Sequence, residues 1–234
     1  MIAFFVVAAE GSLLGQAPYI VVEGPIAVGK TTLARILAAE LSAREELDPA
    51  AENPFLRSFY AEPPRWGLAT QLKFLLLRRE QQAKIAGLPS ENESLARPVV
   101  SDYLLAKDEI FARLTLGEME FALYRELAGG LTQNDDTQIR RPDLVVYLEA
   151  SYEVLQARLR KRNRDFERRI APKYLESLSE AYRAFFHSYE DAPLLVVNCS
   201  AIDFLENGDE RVDLIREIRS ARRGVQHYIP LGSR

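Results

Sequence analysis

A chain of 234 residues, 47% hydrophobic and 27% charged, has the balance of a soluble globular protein and length for one large domain with a sizeable core. A net charge of −4 argues against a surface built to coat nucleic acid, so an anionic ligand must meet positive charge that is concentrated locally. A single cysteine, Cys199, excludes an intrachain disulfide, and with only His187 and His227 beside it no Cys/His zinc site is expected.

The chain opens on an apolar stretch, Met1–Ala9, followed by small residues at Gly11–Ala17. It lacks a basic segment before the apolar run and is too short to span a membrane as a helix, so residues 1–17 read as a leader or an extra strand. Tyr19–Val22 is the first of four short, β-branched, non-alternating runs, as parallel strands covered on both faces are. A helix is expected over Thr31–Leu47, then another over Trp66–Ala86 with Leu72, Leu75 and Leu76 on one face. The polar stretch Gly87–Arg97 reads as a surface loop, and the second strand follows at Pro98–Ser101. Next come a helix over Asp108–Leu127, a loop over Gly129–Pro142 and the third strand at Leu144–Leu148. Tyr152–Arg162 is a helix, and Tyr174, Leu178, Ala181, Phe185 and Tyr189 repeat at helical spacing before the fourth strand, Leu194–Val197. A last helix near Glu210–Arg222 precedes a tail at 224–234, leaving one domain over 18–223. Strands alternating with helices predict an α/β, doubly wound parallel sheet, here of five strands, flanked by helices.

Gly24-Pro25-Ile26-Ala27-Val28-Gly29-Lys30-Thr31 fits G-x-x-x-x-G-K-[ST] at every fixed position, between a strand and a helix. Glycine here lets backbone N–H groups wrap phosphate oxygens, Lys30 brings charge to the β- and γ-phosphates, and Thr31 offers a hydroxyl to Mg²⁺. The following helix, expected from Thr31 with Thr32 in its first turn, adds its positive end. This is a P-loop NTPase architecture that binds a nucleoside triphosphate. ATPases, GTPases, kinases and motors share the loop. The chain has no Asn-Lys-x-Asp segment for guanine, and kinases of small molecules remain the natural class.

The P-loop, then Glu52-Asn53-Pro54-Phe55-Leu56, Phe59-Tyr60, Pro-Pro-Arg-Trp66, Gln71, Arg78, and the basic segment Arg158–Arg169 followed by Tyr174-Leu175-Glu176 resemble the deoxynucleoside kinases in content and order. The likeness runs from about Tyr19 to Val197 and is of the bacterial deoxyadenosine/deoxyguanosine kinase kind. It implies ATP-dependent phosphorylation of a deoxynucleoside, purine in many bacterial relatives, at its 5′-hydroxyl, in nucleotide salvage. Glu52, by itself a loop carboxylate, would be the general base. Tyr60 would meet the sugar 3′-hydroxyl, and Gln71 and Arg78, two helical turns apart, would address the base. Trp66 reads equally as core or as substrate contact. Thr70, Phe74 and Phe111 would line the pocket, and Asp108 stands where relatives carry base-contacting acids, although a solvated helix acid reads as well there. Asp102, at a strand's carboxyl end, would hold Mg²⁺ with Thr31. The family places an arginine after that carboxylate, and here the residue is Tyr103. The basic segment implies an arginine-rich lid, with Arg158, Arg162 and Arg164 on the triphosphate and Glu167 either on the 3′-hydroxyl or paired with Arg168 or Arg169. ATP and Mg²⁺ are the expected cofactors. A homodimer formed through the Asp108–Leu127 helix, a cytoplasmic location, and no nucleic-acid or membrane partner complete the expectation. Two readings stay open beside it: a nucleoside monophosphate kinase with Arg57 or Arg65 on the acceptor's phosphate, and a regulatory P-loop ATPase with no small acceptor.

Overall fold

The computed structural model describes residues 14, 17–86, 97–133, 139–163, 167–200 and 202–229. The leader at 1–13 and 15–16, the loop at 87–96, Arg164 and the last residues, 230–234, lie outside the described residues. Among the described residues there are six strands: β1 (Tyr19–Glu23), β2 (Arg44–Glu46), β3 (Val99–Ser101), β4 (Leu144–Glu149), β5 (Leu194–Asn198) and β6 (Val225–Tyr228). They form one sheet in the order β2-β3-β1-β4-β5-β6, with every neighbouring pair parallel. Eight helices among the described residues connect and cover them: α1 (Lys30–Leu41), α2 (Leu56–Ala61), α3 (Pro63–Ala86), α4 (Asp108–Thr115), α5 (Glu118–Gln133), α6 (Tyr152–Arg162), α7 (Pro172–His187) and α8 (Gly208–Arg219).

The sheet therefore has six strands where five were expected, and the reasons are local. Helix α1 stops at Leu41 because Ser42 adopts the left-handed conformation (φ 49°, ψ 37°), and its N–H bonds back to Ala38 and Ala39. The chain then enters β2, in residues expected to be the end of that helix. This strand is charged and lies at an edge, so no apolar run marks it. Strand β6 sits at the opposite edge, alternates exposed and half-buried positions, and falls within residues assigned to the tail. The helix expected over 108–127 is two helices, because Leu116 is extended (φ −105°, ψ 145°) and Gly117 follows. Helix α5 in turn runs on to Gln133, through residues expected to be loop.

Both faces of the central strands are buried. On one face Ile20, Val22, Val100, Val146 and Leu148 pack against Leu33 and Leu37 of α1 and Leu214 and Ile218 of α8. On the other, Tyr19, Val21, Val145 and Tyr147 pack against Leu178, Tyr182 and Phe186 of α7. Each such side chain contributes about 1.5–3 kcal/mol by leaving water. The connection from β1 runs toward β2, whereas that from β3 crosses to β4. A crevice consequently opens at the carboxyl ends of β1 and β3, where ligands of such sheets gather. Among the described residues no helix is long and apolar enough to cross a membrane.

Candidate active site

β1 delivers the chain into the P-loop, and two glycines there have conformations that other residues resist. Gly24 has φ 151°, and a Cβ on it would lie 2.3 Å from the Leu148 carbonyl oxygen. Gly29 has φ 112°, and its Cβ would lie 3.0 Å from Phe204. Ala27 also takes a positive φ of 68°, Val28 is fully buried, and Thr32 is exposed on the first turn of α1. The Lys30 ammonium donates to the carbonyls of Gly24 (2.7 Å) and Pro25 (3.0 Å). Burial lowers its pKa to about 8 against the opposing pull of Glu23. The Thr31 hydroxyl donates to Asp102, so the two residues expected at the metal meet across the crevice. The other Asp102 oxygen accepts the backbone N–H of Asp48 at 2.6 Å. A hydroxyl and a carboxylate are the hard oxygen donors that suit Mg²⁺, which fills its remaining positions from phosphates and water.

Asp48, just beyond β2, belongs to a cluster of five charges. Its carboxylate accepts from Arg78 Nε (3.3 Å) and Nη2 (2.7 Å), and Lys107 Nζ lies 3.9 Å away. Arg78 also donates to Asp108, and Lys107 pairs with Glu23 at 3.0 Å. Three carboxylates thus share two cations. Glu23, Lys107, Arg78 and Asp108 have almost no exposed side-chain surface, while Asp48 keeps 18%. Asp48 is the most exposed member of the cluster. Burial pushes its pKa up, but Arg78 and then Lys107 outweigh this and hold it below the ordinary value. Burial lifts Asp108 to about 6 in spite of Arg78. Burial acts to lower Arg78, yet Asp108 and Asp48 together raise it.

Glu52, by contrast, is exposed at the end of a 3-10 turn, Ala50–Glu52. Its neighbour Asn53 is buried and pins this segment to α3, donating to the Thr70 carbonyl at 3.0 Å and accepting from Phe55 N–H at 3.1 Å. Along α3, Thr70, Gln71, Phe74 and Arg78 are buried, and the spacing of Gln71 and Arg78 had placed those two on one face. Gln71 donates to the Thr115 hydroxyl at 3.3 Å, and the Arg78 guanidinium lies 4.4 Å from the Phe74 ring centre. Phe111 is half-buried and meets Tyr182 edge-on. Among the described residues, Thr70 Oγ1 and Asp108 Oδ2 are buried without a hydrogen-bond partner, so a ligand can satisfy them. Trp66 is half-buried and stacks on Phe55 at 5.9 Å. Arg57 and Arg65 are exposed, the latter ion-paired with Glu62.

The basic segment divides its work. Arg158 bonds the carbonyls of Val28 (3.0 Å), Cys199 (3.2 Å) and Ile202 (3.1 Å), tying α6 to the P-loop and to the turn after β5. Arg162 pairs with the buried Glu167 at 3.3 Å. Tyr60 stands by them, its pKa raised by burial and then by Glu167. Arg168 bonds Asn163. Tyr103 is fully buried, with its hydroxyl between Gln82 (2.8 Å) and the Arg78 carbonyl (3.4 Å). The cations beside Asp48 are Arg78 and Lys107, from α3 and the turn before α4, and not members of the basic segment. Sequence reasoning passed over Glu23, Asp48 and Lys107. Glu23 had a visible signal, a carboxylate closing an apolar strand just before the first P-loop glycine.

The comparisons with known proteins agree with one another. The family model described as deoxynucleoside kinase matches residues 20–222. A deoxyguanosine kinase of Bacillus subtilis (strain 168) is 31% identical over 198 residues, covering 83% of this chain and 92% of that protein. A deoxyadenosine kinase of Dictyostelium discoideum is 30% identical over 191 residues, covering 79% of this chain and 74% of that one. The structure of a deoxyadenosine kinase from M. mycoides with bound dATP superposes with a TM-score of 0.73 over 87% of this chain and 100% of its own. At 21% identity that likeness speaks for the fold.

Proposed function

The chain belongs to the deoxynucleoside kinase family, and from that premise we propose that it phosphorylates the 5′-hydroxyl of a purine deoxynucleoside with Mg²⁺ held by Thr31 and Asp102 and with Asp48 as the general base. It is a deoxynucleoside kinase that uses ATP as donor. ATP supplies the phosphoryl group, and Mg²⁺ neutralises charge on the phosphates.

The observation that carries the choice of base is the position of Asp48, the solvent-accessible member of the charge cluster, hydrogen-bonded through its backbone to the carboxylate that holds Thr31. The expected base, Glu52, has no such company. Asp48 takes the proton of the 5′-hydroxyl as that oxygen bonds to the transferring phosphorus and ADP departs. Lys30 and Arg162 meet phosphate charge from the loop and from the lid, as does Arg164. Arg158 holds the loop's shape through Val28. Gln71, Asp108 and the Thr70 hydroxyl address the base between Phe74 and Phe111, with Arg78 orienting Asp108. Tyr60 and Glu167 face the 3′-hydroxyl, and Trp66 walls the entrance with Phe55. The buried acceptor and donor atoms of this pocket, and the purine substrates in the names of relatives, support a purine. We further read the protein as a homodimer. Met119, Leu123 and Leu127, four residues apart along α5, form an exposed apolar stripe.

One assay tests the reaction. With ATP and Mg²⁺, deoxyguanosine or deoxyadenosine should yield the 5′-monophosphate faster than deoxycytidine does. Exclusive action on monophosphates, or ADP release indifferent to acceptor, would overturn it. Asp48→Asn should lower kcat by ~10²–10⁴ with ATP binding kept, and Glu52→Gln should act within about threefold of the parent. The reverse pattern restores Glu52 as the base.

A further inference from the structure

Lys107 and Glu23 form a buried ion pair at the root of the P-loop, with side-chain exposures of 2% and 0%. Such a pair is no stability device in itself. The desolvation of two charges is of the same order as their attraction, and apolar residues of equal volume commonly serve as well or better. Its connections are more informative. Glu23 accepts from the N–H of Gly24 (2.8 Å), the first residue of the P-loop, and from Leu104 N–H (2.7 Å), at the start of the turn that carries Lys107. The Tyr182 hydroxyl donates to it as well, at 3.1 Å. Glu23 is thus fixed from three elements, and Lys107 is fixed on Glu23. The far side of the ammonium faces Asp48 at 3.9 Å. The Asp48 carboxylate is otherwise gripped by Arg78 of α3, while its backbone N–H is held by Asp102. Lys107 is the side chain that refers the Asp48 carboxylate back to the root of the loop for the donor phosphates. Tyr103 cannot do this, because its hydroxyl is spent on Gln82 and on the Arg78 carbonyl.

We propose that Lys107 is a positioning residue for phosphoryl transfer: braced by Glu23 at the root of the P-loop, it holds the Asp48 carboxylate at a set distance from the loop. The inference rests on the reading of Asp48 as base. It separates Lys107 from Arg78, whose second partner, Asp108, places it with the nucleobase. It also means that the acceptor-side carboxylate is registered to the donor loop through this lysine, beside the backbone link through Asp102.

The test compares Lys107→Gln, Glu23→Gln/Lys107→Gln, Asp48→Asn and Asp48→Asn/Lys107→Gln in the full chain, with kcat, both KM values and Tm. Lys107→Gln should lower kcat on the order of 10²-fold, the scale of an ångström of misplacement, with both KM values within about threefold. The Glu23→Gln/Lys107→Gln pair leaves neither partner as a lone buried charge. It should melt near the parent and still show the low kcat, which separates positioning from folding. In the Asp48→Asn background Lys107→Gln should lower kcat no further, because Lys107 acts through Asp48. Normal kcat in the folded double variant overturns the proposal. So does a loss carried by KM, or a Lys107→Gln loss of equal size with and without Asp48. Full turnover by Asp48→Asn alone refutes the choice of base directly, and the proposal with it.

Discussion

At the scale of single residues, the site is governed by a charge imbalance. Glu23, Asp48 and Asp108 share Arg78 and Lys107, and Asp108 bears the deficit with a pKa near 6 against 3.8 ordinarily. The folded value is above the unfolded one, so the fold disfavours ionised Asp108. Its contribution to stability is full below about 3.8 and is lost as pH rises through 6. Asp108→Asn cannot ionise and should therefore gain on the parent between pH 5 and 7.5, by roughly 1 kcal/mol. Thermal melts of both proteins at the two pH values measure this, and a pH-independent difference would refute it. Gly24 is a second such residue. Gly24→Ala combines a φ of 151° with a Cβ 2.3 Å from the Leu148 oxygen, so the strand-to-loop junction must move. A loss of about 1–3 kcal/mol is expected, with weakened ATP binding by titration calorimetry.

At the scale of elements, α6 is joined to the P-loop by one side chain. Arg158→Ala would leave the carbonyls of Val28, Cys199 and Ile202 without that donor. It should cost about 1–3 kcal/mol and raise KM for ATP more than KM for the deoxynucleoside. Equal effects on both would argue against this role. Elements also show where sequence reading succeeds. The apolar runs at β1, β3, β4 and β5 were legible because both sheet faces are covered there. Strands β2 and β6 were not, since edge strands need no such run. The omission of β2 bears on the proposed function. With the helix read through to Leu47, Asp48 looked like loop, and Glu52, which stands beside the recognisable Asn53-Pro54-Phe55, was the expected base. The pairing of Gln71 with Arg78 was legible because helical spacing fixes it. The Arg78–Asp48–Lys107 cluster was not, because it joins positions 30 and 59 residues apart along the chain, which periodicity does not report.

At the scale of the whole molecule, the α5 stripe predicts association. Leu123→Glu/Leu127→Glu should convert a dimer into a folded monomer in sedimentation velocity, and a parent that is already monomeric removes the reading. The order β2-β3-β1-β4-β5-β6 has a further consequence. Asp48 and Asp102 follow β2 and β3 on one flank of β1, while Cys199 and Ile202, which receive Arg158, follow β5 on the other. On the proposed assignment, changes on the α3 flank would retune which deoxynucleoside is accepted while the grip on the triphosphate stays as it is. The two flanks can diversify under separate selection, and the Thr31–Asp102 contact, where they meet, is the bond that neither lineage of change can surrender.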